Sequence, residues 1–134
     1  MNTNISTLFT RLLLGLILFW QGYGKIFTFK FENVYKGFEA YQDTFLPTFV
    51  LKFAAYFTTY GEFIFGLLLI LGLFRKYAYL GIALILLIVS FGHGLQSPIW
   101  DLQHVFVRSV FLIFLMMIPL EKDTYALDRF IKKT

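Results

Sequence analysis

The sequence predicts an all-α, polytopic membrane protein, an up-down bundle of four transmembrane helices with a short interfacial amphipathic helix between the first two. Of the 134 residues, 58% are hydrophobic and only 15% are charged, against about 25% charged in an average soluble domain. Aromatic residues make up 21% of the chain, more than a soluble domain of this size can bury. The apolar residues fall into four stretches, each close to the roughly 20 residues that span a bilayer.

The four predicted spans are separated mostly by short connections. They cover about residues 6–29, 48–74, 77–96 and 102–120. The second is long enough to cross the bilayer with some tilt. The connections after the second and third spans are only a few residues long, which favours antiparallel neighbours and therefore the up-down bundle. Residues 1–134 then form a single membrane domain.

The longer connection after the first span predicts the interfacial helix, over about residues 33–45. Apolar side chains recur there at helical spacing, at Val34, Phe38, Tyr41 and Phe45. Charged side chains fall on the opposite face, at Lys36, Glu39 and Asp43. A helix with one apolar and one charged face lies in the plane of the membrane interface.

The basic residues of the flanks predict that both termini are cytoplasmic, since cytoplasmic flanks carry an excess of Lys and Arg. In this orientation the inner side holds seven of them, Arg11, Arg75, Lys76, Lys122, Arg129, Lys132 and Lys133. The outer side holds Lys30, Lys36 and Lys52 once Lys25 and Arg108, which lie inside apolar segments, are set aside.

Glu62 lies near the middle of the second span, and no charge adjacent in sequence neutralises it. A carboxylate at bilayer depth is costly unless it is paired or protonated, so Glu62 is a candidate functional residue. Depths estimated at 1.5 Å per helical residue place six other polar side chains in the outer half of the bundle, Gln21, Lys25, His93, Gln96, His104 and Arg108. Together they predict an outward-opening polar cavity.

Arg108 is the preferred partner of Glu62, because their depths match and a guanidinium binds a carboxylate bidentately. This pair either performs chemistry or only fixes the register of the helices. Lys25 either competes for Glu62 or extends to the outer interface. Arg11, near the inner end of the first span, is expected to extend toward the inner head groups.

Small residues predict where the first two spans meet. Gly15 and Gly22 lie seven residues apart in the first span, and Gly66 shares a helix face with Glu62 in the second. Glycines let two helix backbones approach closely. We therefore expect the first and second spans to pack tightly, with Lys25 within reach of Glu62.

Several kinds of chemistry are excluded or left without a signature. The chain has no cysteine, which excludes disulfide exchange and thiolate metal sites. His93 and His104 have no carboxylate cluster beside them, so no metal site is predicted. No run of Lys and Arg indicates nucleic acid, and no phosphate-binding loop or nucleophile elbow is present.

Three parts of the chain resemble the motifs of a known family. They are Arg11–Gly15 continuing through Gln21–Lys25, then Gly61–Arg75, and finally Tyr125–Asp128. In order and spacing they are similar to the DoxX-like family of small four-helix integral membrane proteins. By motif position, Arg11, Lys25 and Glu62 carry the family pattern. The resemblance implies four transmembrane helices and a link to respiratory or sulfur redox chemistry, since members are named for association with a quinone-reducing thiosulfate oxidoreductase.

Two functions stay open, both for a protein of the bacterial plasma (inner) membrane. The first is a quinone- or small-ligand-interacting subunit of a membrane-associated oxidoreductase system. Its catalytic residues would be Glu62, His93, His104 and Arg108, and Gln21, Lys25 and Gln96 would bind the ligand. Because no redox centre is visible, the electrons would come from a bound quinone or a redox partner protein. The alternative is a non-enzymatic scaffold or assembly factor. A transporter ranks last, because no inverted repeat is seen.

Overall fold

The structure is a computed structural model that describes residues 2–97 and 103–131, without the side chain of His104. Within these ranges the secondary structure is entirely helical. The helices are α1 (Thr3–Tyr23), α2 (Phe31–Glu39), α3 (Thr48–Leu71), α4 (Arg75–Gln96), α5 (Gln103–Met117) and α6 (Asp128–Ile131). A π-helical segment, Gly24–Thr28, continues α1, and a 3₁₀ turn, Leu120–Lys122, follows α5.

Three of the described helices are long and apolar enough to cross a membrane. They are Thr3–Thr28 (α1 with its π-helical continuation), Thr48–Leu71 and Arg75–Gln96. These agree with the first three predicted spans to within three residues at each end. The fourth apolar helix, α5, ends at Met117, three residues before the predicted end, and the predicted start at residue 102 lies outside the described residues. The all-α class and the three long apolar helices are thus confirmed.

The long helices enclose a shared apolar core. Helix α1 packs along α3, α3 along α4, α4 along α5, and α5 returns to α1. Fully or almost fully buried side chains from all four meet in the middle, at Leu14, Leu18, Leu69, Ile82, Leu86, Leu112 and Leu115. In this ring α3 and α5 lie diagonally across from one another. This arrangement determines which cation can contact Glu62.

The tightest contact in the bundle joins α1 to α3 through glycines. A Cβ atom added at Gly66 would lie 2.9 Å from the carbonyl oxygen of Gly15. One added at Gly22 would collide with the backbone nitrogen of Phe63 and lie 2.6 Å from its Cα atom. The glycine spacing therefore predicts this contact correctly, and the contact places the end of α1 beside the middle of α3.

We expect Gly22→Ala to destabilise the protein by about 2 kcal/mol, within the range for an overpacked interior. The new methyl group would meet the backbone of Phe63, which unlike a side-chain end cannot swing away. Gly24→Ala is the matched control, since an added Cβ there has nothing within 4 Å, and alanine favours a helical backbone. Thermal unfolding in detergent measures both. Equal effects of the two substitutions would contradict the close contact.

Helix α2 is shorter than the predicted interfacial helix of residues 33–45. It begins at Phe31, after a break at Lys30 (φ 67°), and ends at Glu39. Beyond it the chain turns, and Thr44 donates its hydroxyl to the carbonyl oxygen of Tyr41. Hydroxyl side chains that bond the local backbone compete with helix in this way. The ring of Phe31 stacks on Tyr56 of α3 with centroids 4.2 Å apart, so α2 is held against the bundle.

A buried charge cluster closes the end of the bundle where α3 turns into α4, which we call the turn end. Arg11 of α1 is buried, and its Nε lies 2.9 Å from Oδ2 of Asp123. Nη1 of Arg75 lies 3.1 Å from the same oxygen, and Nε of Arg75 lies 3.1 Å from Asp128 Oδ2. The cluster therefore joins α1, the start of α4 and the C-terminal segment through two cations and two carboxylates.

The expected position of Arg11 is wrong. Its side chain does not extend to the head groups but turns inward, where Asp123 neutralises it and the carbonyl oxygens of Leu69, Ile70 and Tyr125 accept hydrogen bonds from it. A guanidinium with a carboxylate and carbonyl partners is better satisfied than one that must reach the interface. The carboxylate comes from a part of the chain that no local pattern links to α1.

Asp128 fastens the C-terminal segment to the start of α4. Its carboxylate accepts hydrogen bonds from the backbone N–H groups of Phe74 (2.8 Å) and Arg75 (3.1 Å). Burial raises the pKa of this carboxyl, but the two amides and the Arg75 guanidinium outweigh that effect and hold the pKa below its usual value. The N–H of Asp128 in turn donates to the carbonyl of Gly72 (3.1 Å), so the contact is made from both sides.

Candidate functional site

A cavity of about 790 Å³ lies in the half of the bundle away from the turn end. Its walls come from the first half of α3 and the second half of α4, and α2 lies across it. The junction of α1 with its π-helical segment and one residue of α5 complete the lining. Most wall residues are apolar, among them Val34, Phe38, Val50, Leu51, Ala54, Ile88 and Val89.

The cavity brings together six of the seven residues that the sequence singles out. Gln21, Lys25, Glu62, His93, Gln96 and Arg108 all line it. The backbone of His104 lies in α5, one helical turn before Arg108, but its side chain lies outside the described residues. The sequence singles out these seven as Glu62 and the polar side chains that could converge on it, and six of the seven line one cavity. Their catalytic and binding roles stay predictions.

Glu62 forms its ion pair with Lys25. The Lys25 Nζ donates to Glu62 Oε2 at 2.6 Å, and the side chains are 31% and 2% exposed respectively. Lys25 belongs to the π-helical segment at the end of α1, a wide turn of a kind often found at functional sites. The close α1–α3 contact at Gly22 sets this segment beside Glu62. The alternative in which Lys25 extends to the interface is therefore wrong.

The preferred pairing of Glu62 with Arg108 is also wrong as a direct contact. Arg108 lines the cavity, and its charge interacts with Glu62, but no nitrogen–oxygen distance of 4 Å or less joins them, unlike the Lys25 pair. The reason is the arrangement of the helices. Helix α5 packs against α1 and α4, so Arg108 faces Glu62 from the diagonal position, whereas α1 lies directly against α3.

Arg108 has no direct counterion among the described residues. All the ion pairs within 4 Å that the structure records there involve Lys25, Arg11 or Arg75. None of the recorded side-chain hydrogen bonds comes from its guanidinium either. The charges of Lys25 and Glu62 neutralise each other. Among the described residues of the cavity, the positive charge of Arg108 is therefore left without a close counterion.

One further polar atom at the cavity lacks a partner. Oε1 of Gln21 is buried and accepts no hydrogen bond from any residue in the described ranges. Thr58 of α3 also lines the cavity but is satisfied, because its hydroxyl donates to the Ala54 carbonyl oxygen at 2.8 Å. An unsatisfied buried acceptor costs about 1–3 kcal/mol. A donor on a bound molecule or water would remove that cost.

The described part of the chain shows no cluster of metal-binding side chains. No group of three or more His, Asp or Glu side chains there is arranged to hold an ion. The charged groups that line the cavity there are one carboxylate and two cations, a set that suits a polar organic head group.

Comparison with known families agrees with this geometry. The sequence model of the DoxX family matches residues 6–94. The chain belongs to the DoxX family. With its three long apolar helices, this DoxX protein is an integral membrane protein. No curated protein and no solved structure matches it. The family match includes Lys25, Glu62 and His93 but ends before Arg108.

The sequence does not reveal two parts of this DoxX protein that the structure adds. The first is the contribution of α2 to the cavity through Val34, Gly37 and Phe38, with Tyr41 just after the helix. Its apolar face was attributed to the membrane interface, and the same periodicity equally fits a face packed on other helices. The second is the carboxylate pair at the turn end, Asp123 and Asp128. Asp123 gives no signal except that it is an acidic residue just beyond the last apolar stretch, and Asp128 is marked only as the end of the motif Tyr125–Asp128.

Proposed function

We propose that this DoxX protein is the ligand-binding subunit of a membrane-associated oxidoreductase system, and that its cavity takes a quinone or a similar small apolar molecule. The observation that carries the proposal is the cavity itself, about 790 Å³ with mainly apolar walls and the Lys25–Glu62 pair at its base. Small-molecule sites have this make-up, with volumes of about 300–1,000 Å³ and a few convergent polar groups.

In the proposed reaction the protein supplies position and protons. Glu62 takes up or releases the proton that accompanies reduction or oxidation of the bound ring, and Lys25 holds the carboxylate in place. His93 and His104 donate hydrogen bonds to a ring carbonyl, Arg108 stabilises negative charge on the ring oxygen, and Gln21 and Gln96 orient the head group. A redox partner protein exchanges the electrons with the bound molecule.

We also propose that the chain spans the bacterial inner membrane four times, up and down, with both termini cytoplasmic. The distribution of basic residues supports this orientation. The apolar α5 supports a fourth span, although its 15 residues cover only about 22 Å at 1.5 Å per residue. Helix α2 would lie in the outer interface, since Glu32, Lys36 and Glu39 are exposed while Val34 and Phe38 face the bundle.

Titration of a short-chain quinone into the purified protein tests the ligand site. At a concentration one hundred times Kd, binding adds about 2.7 kcal/mol of stability, which raises the unfolding temperature by several degrees. We expect this rise in the wild type and a much smaller one in Glu62→Gln. Glu121→Gln is the matched control, an exposed carboxyl beyond α5 and outside the cavity.

Two results would count against the site. If the unfolding temperature of the wild type does not change at saturating quinone, quinone is not the ligand. If Glu62→Gln and the wild type respond equally to quinone, Glu62 does not contribute to binding. The first result would leave the family membership and the fold untouched.

A further inference from the structure

We infer that the cavity takes an acidic amphiphile from the bilayer: a molecule with an anionic head group beside Arg108 and an apolar chain that leaves between α3 and α4. The inference rests on the proposed function in one respect, that the cavity is a ligand site. It adds the charge of the ligand and its route of entry.

The charge follows from the residues at the base of the cavity. Among the described residues that line it, the charged groups are two cations, Lys25 and Arg108, and a single carboxylate, Glu62. Lys25 and Glu62 neutralise one another at 2.6 Å. A positive charge inside a bundle at membrane depth is costly without a counterion, and a bound anion supplies that counterion.

The guanidinium of Arg108 is suited to this role. It lines the cavity, and no hydrogen bond or close ion pair to another described residue occupies it. A guanidinium presents parallel donors that match the two oxygens of a carboxylate. Lys25 is already paired with Glu62. An incoming acid therefore meets Arg108, whose donors no other described residue occupies.

The route follows from the exposed part of the cavity wall. Phe53 of α3 and Leu87 and Phe91 of α4 all line the cavity, yet they are 59%, 68% and 54% exposed. Their exposed surfaces are apolar and lie on the long apolar helices, so the opening between α3 and α4 faces lipid. At the other side α2 covers the cavity with Val34 and Phe38, and Tyr41 just after α2 adds to this cover. A lateral apolar opening selects a ligand that is dissolved in the membrane.

Binding of palmitate, methyl palmitate and acetate to the purified full chain in a nonionic detergent at pH 8 tests the inference. The three probes differ in charge and in the apolar chain, and native mass spectrometry counts the bound molecules. We expect palmitate to bind at least tenfold more tightly than its methyl ester, and acetate not to compete. In Arg108→Gln the ratio of the two affinities should fall to about one. The control is Arg129→Gln, which should keep the wild-type ratio because Arg129 is exposed and lies outside the cavity.

The outcomes separate this inference from the proposed function. Equal affinity for palmitate and its ester in the wild type overturns the anionic head group, and so does an unchanged ratio in Arg108→Gln. If Arg108→Gln does not fold, the affinity ratio of palmitate to its ester is compared between the wild type and Arg108→Lys. This variant keeps the positive charge and should retain the wild-type ratio. Competition by acetate at the affinity of palmitate overturns the membrane route. Failure of palmitate, ester and quinone alike would overturn the ligand site itself.

Discussion

Asp123→Ala is expected to lower the free energy of unfolding by about 3–5 kcal/mol, the cost of removing one partner from a buried ion pair. Asp123 is almost completely buried, and its Oδ2 lies 2.9 Å from Arg11 and 3.1 Å from Arg75. Without this carboxylate, Arg11 keeps only carbonyl partners, and Arg75 keeps Asp128. One of the two buried guanidinium groups, that of Arg11, would then have no carboxylate partner.

Chemical unfolding in detergent micelles measures this effect. Glu121→Ala is the control, because Glu121 is exposed two residues away, and such surface changes stay within about 0.5 kcal/mol. The double variant Arg11→Met/Asp123→Leu should recover part of the loss, since it removes the buried charge of Arg11 while Arg75 keeps Asp128. A loss below 1 kcal/mol in Asp123→Ala would mean that the cluster does not hold the C-terminal segment.

Lys25→Met is expected to cost about 3 kcal/mol, at the lower end of the range for a broken buried pair. It leaves Glu62, whose side chain is 2% exposed, without the Nζ donor at 2.6 Å. The effect should lie at the lower end because the Lys25 side chain is 31% exposed and because Arg108 lies near enough to act on Glu62.

A double-mutant cycle with Glu62→Gln isolates the pair. Lys25→Met/Glu62→Gln should be more stable than Lys25→Met alone, with a coupling energy toward the upper end of the roughly 0.5–3 kcal/mol seen for residues in contact. Lys36→Met on α2, an exposed lysine, should change little. Additive single effects would show that Lys25 and Glu62 do not interact in the membrane.

The helical class and the positions of the long helices follow from the sequence because hydrophobicity and length decide them. The boundaries of α3 and α4 differ by at most three residues from those predicted, and Gly72, with φ 71°, ends α3 as glycine commonly does. The cavity residues were found for a related reason. Depth along a helix and the face of a helix can both be counted from the sequence, and those two coordinates place Gln21 and Arg108 at the same cavity.

The sequence does not show which helices are neighbours in the bundle. The depths counted from the sequence favour Arg108, and it is the packing of α1 directly on α3, with α5 on the diagonal, that makes Lys25 the partner of Glu62. Arg11 shows the same limit, since its carboxylate comes from a segment far along the chain. The shorter α2 has a local cause, the hydrogen bond from Thr44 to Tyr41, which competes with a periodic pattern that would otherwise extend to Phe45.

The charge cluster at the turn end also has a consequence for the order in which the protein is made. The ribosome synthesises Arg11 114 residues before Tyr125, and Asp123 arrives with that same late segment. During the interval α1 enters the membrane with an arginine whose counterion does not yet exist. The first helix therefore completes its contacts only when the C-terminal segment docks, and a nascent chain stopped short of Asp123 leaves Arg11 without its carboxylate partner.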